Sequence, residues 1–155
     1  MSVTRRGLTL PKDRYRSMSV KAGVLAGATY PDESGKKLAD GTILTKDPRA
    51  GLPVAMIAMA LNYGTSKLPA RPFMEKTITD RSAEWIKGLT VMMTMGYDAE
   101  VAMGQIGQAM KDDIKTTISE WPADNSADWA GKKGFNHGLI WTSHLLNSVE
   151  QEIVK

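Results

Sequence analysis

The first regular pattern of apolar positions begins at Ser19, where Val20, Ala22 and Val24 alternate with Lys21, Gly23 and Leu25. Period-two alternation marks a strand with one buried face, and Gly27 is its expected end. From Ala28 to Gly51 the pattern dissolves into turn formers, among them Pro31, Asp32, Gly35, Asp40, Gly41, Asp47 and Pro48. This predicts a long loop or hairpin excursion, with Thr42–Thr45 as its one candidate strand. A connection of that length in a small domain is more often functional or ordered by a partner than inert. Pro53–Leu61 is then apolar nearly all round, and its Ala and Met content predicts a helix buried either in the core or against a neighbouring subunit.

Beyond Pro72 the period lengthens. Met74, Ile78, Trp85, Leu89 and Met92 recur at helical spacing among charged residues, predicting an amphipathic helix that stops near Gly96. Asp98 is placed to cap a second helix, along which Met103, Ile106, Met110, Ile114, Ile118 and Trp121 recur every three or four residues until Pro122. Gly104 and Gly107 lie inside that helix, where each costs about 1 kcal/mol relative to alanine. Either another backbone comes close there or the weakness is tolerated. Residues 123–138 read as a second exposed loop. A short helical turn near Ser143–Leu146 follows, and Ser148–Val154 reads as a closing strand with helix as its alternative.

Between the apolar helix and the amphipathic one lies Leu61-Asn62-Tyr63-Gly64-Thr65-Ser66-Lys67-Leu68-Pro69-Ala70-Arg71-Pro72-Phe73. Gly64 suits a helix C-terminus and Pro72 a helix N-terminus. Pro69 and Pro72 disfavour helix and ladder pairing, so Ala70 and Arg71 are expected to be extended, with Arg71 presented on a stiff elbow. Tyr63, Gly64, Pro69, Arg71, Pro72 and Phe73 are the residues expected to hold this elbow.

Composition narrows the reading. At 155 residues the chain suits one domain able to bury about two-thirds of its unfolded surface. With no cysteine, disulfides and thiolate zinc sites are excluded, and folding in a reducing cytoplasm is compatible with the composition. No run of 18 apolar residues exists, and no apolar core follows Arg5 and Arg6, so a soluble, unprocessed protein without membrane partners is expected. The net charge of +3 is uneven, because residues 1–21 hold Arg5, Arg6, Lys12, Arg14, Arg16 and Lys21 against Asp13. Residues 1–18 thus read as a basic arm ahead of a single domain over 19–155. Such an arm either contacts phosphates or an acidic protein surface, or is a solvated terminus.

Candidate chemistry is sparse. His137 and His144 lack the spacing and partners of a zinc site. Gly131-Lys132-Lys133-Gly134 lacks the length of a phosphate loop and reads as a flexible basic loop, while Gly104-Gln105-Ile106-Gly107 falls within a helix whose amides are already paired. Asp112 and Asp113 point about 100° apart on a helix and form no acid–base pair. Neither an enzyme nor a cofactor is expected. The ten methionines suit core gaps and adaptable protein contacts alike.

Three groups of residues carry a family resemblance: Val20-Lys21-Ala22-Gly23-Val24-Leu25-Ala26-Gly27-Ala28-Thr29-Tyr30-Pro31-Asp32, Ala60–Thr65, and Leu68-Pro69-Ala70-Arg71-Pro72-Phe73-Met74. They resemble the tail-completion and neck proteins of tailed bacteriophages, the Z-like minor tail proteins. That family shows a VGVLAGATYPDG strand and turn, an NEFGT helix end, an IPARPF elbow, two helices and a closing LIDTGxLxxSI segment. Counterparts of all five occur in order over residues 19–154. In this chain Asn62 and Tyr63 replace the acidic residue and phenylalanine of the second motif. Trp141 and Ser143 stand at the aspartate and glycine of the last.

The resemblance implies an α+β domain with a small mixed or antiparallel sheet packed against two long helices. It implies a virion protein of the neck or tail, made in the host cytoplasm, that completes the tail and joins it to the DNA-filled head. Six or twelve copies would form a ring around the DNA channel, next to other neck, terminator or tail-tube proteins. A tail terminator or head–tail stopper is the near alternative, and a small DNA-binding regulator the alternative from another class. Candidate subunit or DNA contacts are Arg5, Arg6, Arg14, Arg16, Lys36, Lys37, Lys132 and Lys133.

Overall fold

The structure, a computed structural model, describes residues 17–155, so the expected contacts at Arg5, Arg6, Arg14 and Arg16 lie outside the described residues. Both α and β elements are present, in the order β1 (Ser19–Val24), α1 (Val54–Tyr63), α2 (Phe73–Thr94), α3 (Ala99–Ser119), α4 (Ala127–Lys133), α5 (His144–Asn147) and β2 (Val149–Val154). The two strands pair antiparallel, Val20 opposite Ile153, Ala22 opposite Gln151 and Val24 opposite Val149. The closing segment is therefore a strand despite its helix-favouring Glu and Gln, because alternation lets Val149, Gln151 and Ile153 face inward while Glu150 and Glu152 face water.

The sheet lies on α3, and one glycine makes room for it. A Cβ at Gly107 would stand 2.7 Å from Val20 Cγ2 and 2.5 Å from Gln151 Oε1. Strand side chains, rather than another backbone, thus occupy the space. At Gly104 a Cβ would meet nothing closer than Ile153 Cδ1 at 3.8 Å, an ordinary contact, so close approach explains only one of the pair. Ion pairs from Lys111 to Glu150 (2.6 Å) and Lys155 to Glu100 (2.8 Å) join α3 to β2 and to the residue after it.

Helix α2 crosses to α3 through polar as well as apolar contacts. The fully buried Thr77 donates to Phe73 O (2.8 Å) and bonds Thr117 Oγ1 (2.7 Å), and Trp85 Nε1 donates to Asp113 Oδ2 (2.7 Å). This corrects the expected inner face: Thr77 is buried and Ile78, one position on, is 50% exposed. Periodicity of apolar residues misses a threonine whose hydroxyl finds partners within the helix pair. Asp98 caps α3 as expected, its side chain accepting from Glu100 N at 2.9 Å.

Among the described residues two clusters of buried side chains result. One joins Tyr30, Val54, Phe73, Ile114, Ile118 and Val149; the other joins Ala99, Ala102 and Met103, flanked by Val20, Met92 and Ile153. Helix α1 buries only Val54, Ala58 and Asn62, so it is not enclosed on all sides. Met56, Met59 and Tyr63 form an exposed stripe along its other side.

Two expectations about loops are corrected. Thr42–Thr45 is not a strand: a single antiparallel bridge pairs Lys37 with Ile43, and Asp40 holds the tip by accepting from Thr42 N and Oγ1. Residues 123–138 are not a plain exposed loop, since they contain α4, capped by Ser126 and ended by Gly134 at φ +82°. Strand β1 stops at Val24, short of Gly27.

Candidate functional site

The elbow is built by α1 handing hydrogen bonds to α2. Asn62, buried at the end of α1, accepts from Met74 N (3.1 Å) and donates to Glu75 Oε1 (3.0 Å). Its amide thus caps the start of α2, where Pro72 offers no side-chain cap. Leu61 O accepts from Arg71 N at 2.7 Å. Pro72, at φ −76° and ψ 61°, makes an inverse γ-turn closed by Phe73 N to Arg71 O at 2.7 Å. Gly64 sits at φ +77° and ψ 172°, where only glycine fits, and a Cβ there would lie 2.8 Å from Ala70 N.

This geometry turns Arg71 and Phe73 inward while residues 65–70 and Pro72 stay exposed. Phe73 is 1% exposed in the larger core cluster. Arg71 is also buried rather than presented outward: its Nε meets both carboxylate oxygens of Asp124 at 2.9 and 3.0 Å, and Nη2 approaches Asp124 O at 3.4 Å. Trp121 Nε1 also donates to Asp124 Oδ2, at 3.0 Å. Gly138 packs over this pair, since a Cβ would lie 2.9 Å from Arg71 Nε and 2.8 Å from Asp124 Cγ. Tyr63 takes no part: it points away and is 68% exposed, which corrects its expected role in holding the elbow.

The elbow forms one wall of a cavity of about 670 Å³. Leu68, Pro69 and Arg71 line it from the elbow, Ile57, Ala60 and Leu61 from α1, and Trp129 and Lys133 from α4. The remaining walls come from Tyr30, Leu44 and Asp47–Arg49 of the excursion, from Lys67, and from residues 124–126 and 138–145. Asp47 is buried and grips Arg49 through Nε (3.1 Å) and Nη2 (3.2 Å). Burial opposes the Asp47 charge, but the Arg49 side chain, backbone amide and positive charge prevail and hold the carboxyl below its ordinary range. The Arg49 guanidinium lies 4.2 Å from the Trp141 ring centre and 5.0 Å from that of Tyr30. Trp141 meets Trp129 edge-on at 5.3 Å, and Tyr30 meets His144 at 5.1 Å.

Of the lysines expected as contacts, Lys133 is corrected. It is 8% exposed, donates to His137 O and lies 4.8 Å from the Phe135 ring centre. Desolvation, aided by the nearby Arg71 charge and countered by Asp124, pushes its ammonium down to about 8. Lys132 is on the outer side, paired with Asp128 at 3.0 Å; Lys36 pairs with Glu33 at 3.0 Å and sits 5.5 Å from the Trp141 ring; Lys37 is exposed. The excursion reaches α4 here, Ala39 N donating to Lys132 O at 2.9 Å. The Gly131–Gly134 segment is helical up to Lys133, so it makes no phosphate cradle.

Sequence reasoning missed Asn62, Asp124 and Trp129 as parts of one site. Ser126 before α4 and Gly134 after it are start and stop signals that mark the helix, but nothing local signals that Asp124 meets Arg71, 53 residues earlier. His137 and His144 serve the backbone, their Nε2 atoms lying 2.8 Å from Ser119 O and 2.9 Å from Thr29 O. Among the described residues no cluster of acidic or histidine side chains suits a metal ion, and no helix is long and apolar enough to cross a membrane. No family model, curated protein or solved structure matches the chain.

Proposed function

We propose that this protein is a structural subunit of a phage neck or tail, completing the tail and helping to join it to the DNA-filled head. The observation that carries this reading is that the segments resembling the tail-completion family are the ones on which the architecture hangs. Arg71 and Phe73 are buried, Gly64 has no room for a Cβ, and Ser143, at the glycine of the closing motif, takes φ +59°. A left-handed backbone where relatives of that kind carry glycine supports the resemblance at a position no apolar pattern could reveal.

On this reading α2 and α3 are the two long helices that form the rigid body of the subunit, the small sheet rests on them, and the loop over 31–51 reaches a neighbour. The exposed stripe of Met56, Met59 and Tyr63 supports a protein partner, since aligned apolar residues on a helix are costly to leave in water. Head-to-tail contacts would close a ring of six or twelve copies around the DNA channel. Terminator, tail-tube or other neck proteins would adjoin it.

Electron microscopy of lysates from a phage unable to express this gene tests the reading. Filled heads beside unattached or abnormal tails are expected; intact, infectious virions would overturn it.

A further inference from the structure

The cavity behind the elbow has an excess of positive charge with an identifiable source. Arg49, Lys67, Arg71 and Lys133 line it against two acids, Asp47 and Asp124, and each acid is already engaged by an arginine. Lys133 is the cation left over inside. One of its three donors reaches His137 O and its ammonium lies 4.8 Å from the Phe135 ring centre, but among the described residues it forms no ion pair with a carboxylate. Lys67 is the other, exposed at the rim. Around these charges the walls are apolar or aromatic: Ile57, Leu61, Leu68, Trp129, Leu139 and Trp141. A cavity in the usual range for binding sites, apolar with few polar groups, is built to orient a ligand through those groups.

The apolar surface does not end at the rim. Ala60 lines the cavity, and on α1 it neighbours Met56 at i−4 and Tyr63 at i+3. Ala60 thus borders the cavity on one side and, by helical spacing, the exposed stripe of Met56, Met59 and Tyr63 on the other. A small ligand fills the cavity and leaves the stripe wet; a polypeptide covers both.

We propose that the cavity and the α1 stripe together receive an apolar segment of another protein that carries one acidic side chain, whose carboxylate meets Lys133. The ammonium supplies the matching charge and the donors not given to His137, Trp129 and Trp141 supply faces for an apolar or aromatic neighbour, and the stripe takes the flanking residues. That this protein is an adjoining neck or tail subunit rests on the function proposed above; the chemistry of the site does not.

The test uses the full chain and a pooled library of apolar seven-residue peptides with a fixed central glutamate, beside the same library with central glutamine. Retention of the glutamate pool at least tenfold above the glutamine pool is expected. Lys133→Met, which keeps the length of the side chain, should erase the difference while thermal unfolding shows it folded. Equal retention of both pools, or of neither, overturns the proposal without requiring any protein variant. Retention unchanged by Lys133→Met also overturns it. Indole-3-propionate that binds as tightly as the retained peptides would make this a small-molecule site and overturn the protein segment. If virions form normally without the protein while the glutamate preference holds, the functional reading fails and the site stands.

Discussion

Ser143 is the one described non-glycine residue with positive φ, and at +59° it sits in left-handed backbone ahead of α5. That conformation costs an L-residue about 1–2 kcal/mol, against about 0.5–1 kcal/mol of extra chain entropy lost by glycine. Ser143→Gly is therefore expected to raise stability by roughly 0.5–1 kcal/mol in chemical denaturation. Phe73→Ala should act in the other direction, by about 3–5 kcal/mol, because the ring is enclosed by the larger core. Asp124→Asn strips the buried Arg71 of its counter-charge, and about 3 kcal/mol is expected, the low end for a broken buried pair because Asp124 keeps a third of its side-chain surface in water. Lys133 gives a pH signature. Its folded value of about 8 lies below the ordinary 10.5, so between them the unfolded chain binds more protons and stability rises with pH. Its contribution is complete above 10.5 and lost as pH falls through 8. Lys133→Met should gain most over the parent below pH 8 and converge with it near 10.5 in denaturation curves. The importance of Phe73 was legible from the elbow motif; the burial of Lys133 was not, because a Gly-Lys-Lys-Gly run looks solvated until α4 turns it toward the cavity.

At the scale of elements, the join between α1 and α2 depends on Asn62 more than on either proline. Its amide caps α2 and bonds Glu75 from a buried position, so Asn62→Ala leaves Met74 N without that partner. A loss of about 1–3 kcal/mol is expected in thermal or chemical unfolding, with amide exchange fastest in the first turn of α2. Helix ends at Gly96 and Asp98 could be read directly because caps are local: Asp98 needs only the amide two residues ahead. Strand Val149–Val154 was harder, since its composition favours helix and only pairing with Ser19–Val24 selects the strand. Helix α4 carries no periodic signal for a different reason. Seven residues are too few to show a period, although its cap and stop residues were both present.

At the scale of the whole molecule, the two ends of the described chain meet in one sheet, and the elbow, the excursion, α4 and the 138–145 segment close around one cavity. The α1 stripe lies outside this frame. Met59→Ser, at a residue 62% exposed, should change unfolding free energy by no more than about 0.5 kcal/mol; if the proposed virion role holds, it should also reduce incorporation into particles, measured by immunoblotting purified virions. What depends on near neighbours is written in local sequence: the helical periods, the caps, and an elbow that glycine and proline stiffen through their own φ restrictions. The absence of cysteine chemistry is written in the sequence too. Only the tertiary structure decided which way the elbow faces. A stiff connector can present Arg71 to solvent or bury it, and the choice falls to Asp124, because a buried guanidinium persists only where a distant carboxylate meets it. The cavity follows from the same cause: its walls come from segments far apart in sequence, and no local pattern encodes the space between them.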